Sequence, residues 1–357
     1  KLVIISSLAL GLYFPKPRLF VLPFLPIATW LILFYSCRFI PGDRRPHIYV
    51  SVLPALENIL YGDNLSAIIA RHTNTLKDLL AWFPYGVAHF TLPFFTSIGL
   101  WWVGPPGILA VFARAFGYMN IAGVLTQLSF PCSPPWYEYI YGMNTPAKYT
   151  MPGHPGGLAR IDTLFSSTTY TTTFSGSPMV FGAFPSLHSG CAIIQALFIS
   201  YVLPKSRIIC ILYVMWIWWA CMYLTHHYMV DLVGGGIYAV IAFWFSWKWL
   251  PSVRYEFSNR WDYVKAALLP RTTNDIVERT PMYAIVAYPS SRDASIDMDN
   301  QAIEDKNAAL STSSSYDSND EFDLGHGVNH HQQSHYQNPH VIASSDSINL
   351  SEDIEAL

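Results

Sequence analysis

The stretch Phe181-Gly182-Ala183-Phe184-Pro185-Ser186-Leu187-His188-Ser189-Gly190 runs into two apolar segments, 190–204 and 207–225. Thr225-His226-His227-Tyr228-Met229-Val230-Asp231 then leads into a third, 231–250. An ionisable side chain at the end of a membrane-length segment is costly to keep there, and such residues mark functional sites by default. His188, His227 and Asp231 occupy such ends. Two apolar segments separate His188 from His227, so the chain crosses a bilayer twice between them and returns both to one membrane face.

Working outward, the composition supports this reading. Of 357 residues 52% are hydrophobic, 15% aromatic and only 13% charged, which is too apolar for an ordinary soluble domain and points to an all-α polytopic membrane helix bundle. The net charge of −3 hides a split. Residues 1–271 hold 18 Lys/Arg against 9 Asp/Glu, and residues 272–357 hold 3 against 15. A basic body suits anionic headgroups and phosphates, with nothing that points to nucleic acid. The acidic, Ser- and His-rich remainder, with Ser311–Ser315 and the run from His326 to His340, reads as a disordered tail beyond a membrane domain of residues 1–270. The five cysteines, Cys37, Cys132, Cys191, Cys210 and Cys221, are odd in number and widely spaced inside apolar runs. They suggest packing rather than disulfides or a zinc site.

Spans are expected near 1–14 (partial, as if a native amino terminus were missing), 18–37, 81–103, 107–129, 190–204, 207–225 and 231–250. The basic link Pro204-Lys205-Ser206-Arg207 and the flank holding Arg254, Arg260, Lys265 and Arg271 belong on the cytoplasmic side. Residues 38–80, residues 130–189 and the 226–231 turn then share the opposite side. Asn64-Leu65-Ser66 forms a glycosylation sequon there.

The chemistry follows from residue types. His227 and Asp231 are four apart, a spacing that places both on one face of a helix. The carboxylate then holds one imidazole nitrogen as a donor and leaves the other free to attack or to take a proton. His188 comes from another element, where a general acid belongs. Ser186 and the backbone amides that open the next helix offer donors to an anion. His89 reads as a packed residue or a cavity-lining one, His226 as a structural hydrogen-bonding residue, and Gly234-Gly235-Gly236 as a close-packing surface behind the site.

Pro185-Ser186-Leu187-His188 and His227-Tyr228-Met229-Val230-Asp231 resemble the second and third motifs of the type 2 phosphatidic acid phosphatase superfamily, whose members form a phosphohistidine. The longer runs 181–190, 222–228, Pro155–Asp162, Phe130–Glu138 and Leu56–Gly62 resemble the fungal aureobasidin A resistance proteins, which are catalytic subunits of inositol phosphorylceramide synthase. The resemblance covers residues 18–255. It implies a transferase that moves phosphoinositol from phosphatidylinositol to ceramide, with neither cofactor nor metal. It also implies a small regulatory membrane subunit as partner, and a Golgi membrane location with a lumenal site and a cytoplasmic tail. His227 becomes the nucleophile, Asp231 its orienting partner, and His188 the acid and then the base.

Two departures stand out. Ala220-Cys221 occupies the place where the phosphatase motif has Ser-Arg, and Leu187 stands where it has Gly. Another cation must then meet the phosphoryl oxygens. By position the candidates are Arg160 and Lys148; by spacing they are Arg38 and Arg45, since Arg38 to Pro46 fits the first phosphatase motif but lies one hairpin too early. Position favours Arg160. Asp162 either pairs with Arg160 or meets inositol hydroxyls. The competing readings are a lipid phosphate phosphatase, with water as second nucleophile, and a non-catalytic lipid transporter or scaffold.

Overall fold

A computed structural model of the chain describes residues 10–268. The expected first partial span and the acidic tail fall wholly or mostly outside the described residues. Helix α1 (Pro15–Ser36) opens on a proline in its first turn, where the missing N–H has no partner to lose. It packs along α6 (Ile108–Ser129). Gly117 makes that contact possible, because a Cβ added there would lie 2.5 Å from the Pro26 side chain.

Helices α4 (Thr75–Trp82) and α5 (His89–Val103) are joined by one π-helical turn, Phe83–Ala88, so the expected 81–103 span is part of one longer rod. Such a turn shifts the register of the side chains after it and often sits at a functional site. Helices α10 (Leu187–Val202), α11 (Arg207–Tyr223) and α12 (Met229–Ser246) follow close to the expected limits. Among the described residues, four segments are long and apolar enough to cross a membrane: Val21–Phe39, Ile108–Ser129, Pro204–Tyr223 and Met229–Trp249. At about 1.5 Å per residue, α10 is about 24 Å long, short of a bilayer core of about 30 Å. It compensates by position: it lies at the centre of the bundle and touches α5, α6, α11 and α12.

Gly234, Gly235 and Gly236 set how closely α12 approaches α10. An added Cβ at Gly235 would sit 2.0 Å from the Ser186 carbonyl oxygen, and one at Gly234 would sit 2.4 Å from the Phe184 ring. The close packing expected from the triple glycine is therefore what brings the start of α12 against the Pro185-Ser186-Leu187-His188 turn.

The segments expected to share one membrane side fold into short helices that cover this end of the bundle: α2 (Val52–Tyr61), α3 (Leu65–Ala70), α7 (Pro135–Tyr141), α8 (Leu158–Leu164) and α9 (Thr169–Ser175). Tyr49 donates its N–H to Pro131 O (2.8 Å) and accepts from Ser133 N (3.1 Å), which ties the two loops together. Asn64 caps α3 by accepting from Ala67 N at 3.0 Å and donates to Glu138 Oε2 at 2.9 Å. With Ser66 also buried, the sequon is part of the packing rather than an open glycosylation site. At the far end, Tyr201 donates to Pro251 O at 3.0 Å, so the end of α10 and the basic flank lie together, away from this cover.

Candidate active site

The site is built where α10 and α12 begin. Ser186 is the N-cap of α10, and its Oγ accepts from Ser189 N at 3.3 Å. Its own N–H donates to the Asp231 carbonyl at 2.9 Å, which stitches the two helix starts to each other. Gln127 of α6 donates to Pro185 O at 2.9 Å.

His188 leads out of this turn. Its ring stacks on Tyr85 of the π turn, with centroids 4.2 Å apart and 17° between planes, and lies 4.2 Å from the His89 ring. Its Nδ1 is 3.2 Å from Nε2 of His227.

His227 does not sit on a helix. The i, i+4 spacing with Asp231 is productive for another reason: α12 begins only at Met229, and His227 reaches over its first turn from the preceding loop. Both His226 N and His227 N donate to Cys221 O, at 3.0 and 3.3 Å, and this closes the loop tightly. Nδ1 of His227 is 2.8 Å from Oδ2 of the buried Asp231. A carboxylate accepts there, so Nδ1 carries the proton and Nε2 keeps its lone pair. Burial pushes the His227 imidazole well below the usual histidine range, which favours the neutral ring.

The loop is held from several elements. Glu57, fully buried in α2, accepts from Met229 N (3.2 Å) and Val230 N (3.1 Å) and so caps α12. Tyr228 donates to Glu138 Oε2 at 2.9 Å. The carbonyls of Thr225 and Leu224 accept from Trp136 N and Gly157 N, each at 2.9 Å. His226 bonds Pro155 O through Nε2 at 2.9 Å, the structural role expected of it, with its ring stacked on Phe174. Gly156, at φ +53°, is needed at this approach, since a Cβ there would lie 2.4 Å from Leu224 O.

His188, His227, Asp231 and Ser186 thus come together, but the proposed phosphate donors do not all join them. Arg45 is spent on the carbonyls of Cys37, Ile40 and Pro178, so the spacing that matched a phosphatase motif serves a turn. Arg38 is exposed over the Tyr35 ring. Lys148 is exposed in the loop between α7 and α8. Asp162 neither pairs with Arg160 nor stays open to a ligand. Its oxygens accept from the Ser167 and Thr171 hydroxyls and from Tyr170 N and Thr171 N, because it caps α9.

Arg160 pairs with Asp78, Nε to Oδ1 at 2.8 Å, while Tyr223 donates to the same oxygen at 2.9 Å. It still lies beside the loop that carries His227: a Cβ on Gly157 would meet its Nη2 at 2.9 Å and Leu224 at the same distance. Sequence reasoning missed Tyr85, Glu57, Asp78 and the tie through Glu138. The available signal was scarcity, because a body with 9 acidic residues in 271 has few reasons to keep one.

Comparison with known proteins shows the family. The family described as the PAP2 superfamily matches residues 51–245. The chain is 54% identical to the inositol phosphorylceramide synthase catalytic subunit of Schizosaccharomyces pombe over 74% of its own length and 62% of the relative's. It is 48% identical to the inositol phosphorylceramide synthase of Candida albicans (74% and 56%) and 47% identical to the corresponding catalytic subunit of Saccharomyces cerevisiae (75% and 69%). The chain therefore spans between 56% and 69% of the length of these relatives. No solved structure matches. Helical architecture, paired histidines and similarity across most of the chain agree: it belongs to the PAP2 superfamily, in the family of the inositol phosphorylceramide synthase catalytic subunits.

Proposed function

We propose that this chain carries the catalytic centre of a phosphatidylinositol:ceramide phosphoinositol transferase. The single observation that carries the reading is the relay from Asp231 Oδ2 through His227 to His188 Nδ1, with gaps of 2.8 and 3.2 Å. In the first step the Nε2 lone pair of His227 attacks phosphorus, and the bond from phosphorus to the glycerol oxygen breaks. His188 gives that oxygen its proton, and diacylglycerol leaves. In the second step His188 takes the proton of the ceramide primary hydroxyl. The ceramide oxygen attacks phosphorus, the P–N bond breaks, and both histidines return to their starting forms.

Asp231 holds His227 in the attacking tautomer and offsets the positive charge that grows on the ring. A positioned acid–base group of this kind gives ~10²- to 10⁴-fold in rate. Arg160 supplies positive charge beside the loop, and the first-turn amides of α10 add donors for the phosphoryl oxygens. The Tyr85 stack and the His89 ring fix the plane of His188, so the proton it moves has one direction to travel.

Topology supports a site facing the lumen of an endomembrane compartment, here assigned to the Golgi. Lys205 and Arg207 follow the end of α10, and Lys248 and Arg254 follow the end of α12, the ends away from the histidines, as positively charged loops do on the cytoplasmic side. The acidic tail then lies in the cytoplasm, and a small regulatory membrane subunit completes the enzyme.

The test is lipid product analysis with purified protein, phosphatidylinositol and a fluorescent ceramide. Product should form in proportion to ceramide with one diacylglycerol released for each. Phosphate release from phosphatidic acid, independent of ceramide and without that product, would instead establish a phosphatase. A His227→Ala protein that still makes product would point to a scaffold for some other catalyst.

A further inference from the structure

We propose that His188, Cys221 and His227 form a binding site for a soft divalent cation, Zn²⁺ by preference, and that its occupancy switches the histidine chemistry off. The inhibitory consequence rests on the transferase reading; the binding itself does not.

The donor atoms of these three residues all lie within 4.8 Å of one another. Tetrahedral Zn²⁺ with Zn–N of about 2.05 Å and Zn–S of about 2.3 Å requires N···N near 3.3 Å and S···N near 3.6 Å. His188 Nδ1 and His227 Nε2 are 3.2 Å apart, so the nitrogen pair already has the required separation. From a separation of at most 4.8 Å the sulfur has up to about 1.2 Å to move inward, an adjustment in the last turn of α11. Two imidazoles and a thiol select zinc-like ions over the oxygen-seeking Mg²⁺ and Ca²⁺. The fourth position falls to water.

The surroundings match such a centre. At 3.2 Å the two nitrogens are within hydrogen-bond distance, so one donates a proton to the other. A cation held about 2.05 Å from each would replace that proton, seated to one side of the line between them. Asp231 bonds Nδ1 of His227, the outer-shell carboxylate that fixes tautomer and ring orientation in metal-bound histidines. Ala220-Cys221 stands where the phosphatase pattern has Ser-Arg, so a neutral thiol occupies a place where a guanidinium would repel the metal.

The proton balance is simple. Cys221 loses its thiol proton and the histidine pair loses the proton held between its two nitrogens, both to solvent, so that His188 binds through Nδ1 with a proton on Nε2. His227 binds through the lone pair it otherwise uses in attack, so the metal and phosphorus compete for one electron pair.

The experiment uses the purified full-length protein, with Co²⁺ as spectroscopic probe and Zn²⁺ as competitor. Wild type should show a thiolate-to-cobalt charge-transfer band with tetrahedral d–d bands, both removed by Zn²⁺. Cys221→Ser should lose the charge-transfer band, whereas Cys37→Ser, at the far end of α1, should keep it. Asp231→Asn should weaken Zn²⁺ binding about 10- to 100-fold. Zn²⁺ should inhibit turnover reversibly, with a chelator restoring it, and Cys221→Ser should need more than that 10- to 100-fold extra metal.

Absence of the band in wild type, its survival in Cys221→Ser, or unchanged zinc sensitivity in that variant would overturn the proposal. Should Cys221→Ser not accumulate, His188→Ala gives the same decision, because unchanged Zn²⁺ binding there also overturns it. Metal binding is read without turnover, so its failure leaves the transferase reading standing.

Discussion

Gly235→Ala tests whether the α10–α12 contact sets the distance between the two histidines. The added methyl would stand 2.0 Å from the Ser186 carbonyl oxygen and 3.1 Å from Gly190 N. Ordinary contact begins near 3.4 Å, so the helices must part by about 1.4 Å at this point, and both neighbours are backbone that cannot rotate away. Ser186 N to Asp231 O, now 2.9 Å, is the bond across the gap. Stretching it carries His188 away from His227, whose nitrogens are 3.2 Å apart. A misplacement of about 1 Å costs on the order of 10²-fold in rate, and overpacking of this kind destabilises by about 1–3 kcal/mol. The assay is ceramide-dependent product formation by purified variants, with thermal unfolding measured in parallel. Gly236→Ala is the control, since its methyl would press on the flexible Ile193 Cδ1 at 2.9 Å and make ordinary contact with Trp218 at 3.8 Å and Ser189 Oγ at 4.0 Å. We expect kcat to fall about 100-fold in Gly235→Ala and to stay within about threefold of wild type in Gly236→Ala. Near-normal turnover in Gly235→Ala, or a larger loss in Gly236→Ala, would refute the idea that this contact sets the site.

Three further outcomes follow from the same geometry. Asp231→Asn keeps the shape but removes the carboxylate that selects the tautomer, so kcat should drop on the order of 10³- to 10⁴-fold, as in other histidine–carboxylate pairs; a loss under tenfold speaks against the relay. Burial lowers the His227 pKa in the fold, so kcat/KM should hold down to pH values below the ordinary histidine range near 6.5 and fall as pH drops through the folded value. The stability linked to neutral His227 follows the same sign: it is fully present above about pH 6.5 and lost on acidification. An acid limb centred above 6.5 contradicts this. Arg160→Lys keeps the charge but loses the planar fork, and should lower kcat/KM for phosphatidylinositol about tenfold or more while KM for ceramide stays put; equal effects on both substrates would remove Arg160 from the phosphate.

Much of the candidate site was legible because it gathers rare residue types in costly places. In an apolar chain His188, His227 and Asp231 have few other reasons to be there, and parity alone places them on one side. Spacing also exposed the triple glycine that lets α12 close on α10. The mechanism of the His227–Asp231 contact was less legible: four residues apart suggests a helix face, but the bond is made from a loop over a helix start. Phosphate donors were least legible, because a spacing match cannot say what an arginine has already bound. Arg45 matches a motif and is consumed by three carbonyls.

The acidic residues explain why. Glu57, Asp78, Glu138, Asp162 and Asp231 each accept from groups far away in the chain or in another element: α12 amides, Arg160 with Tyr223, Tyr228 with Asn64, the start of α9, and His227. A carboxylate in low dielectric must be paired, so each is obliged to find a partner, and except for Asp231 with His227 the partners lie where local pattern does not reach. The short helices α2, α3, α7, α8 and α9 are too brief to stand alone and depend on these anchors for their placement. The loop that carries His227 is held by Glu57, Glu138 and Asp231. Removing Glu57 or Glu138 should loosen His227 before it loosens the bundle, because the bundle is held by helix packing and the loop by carboxylates.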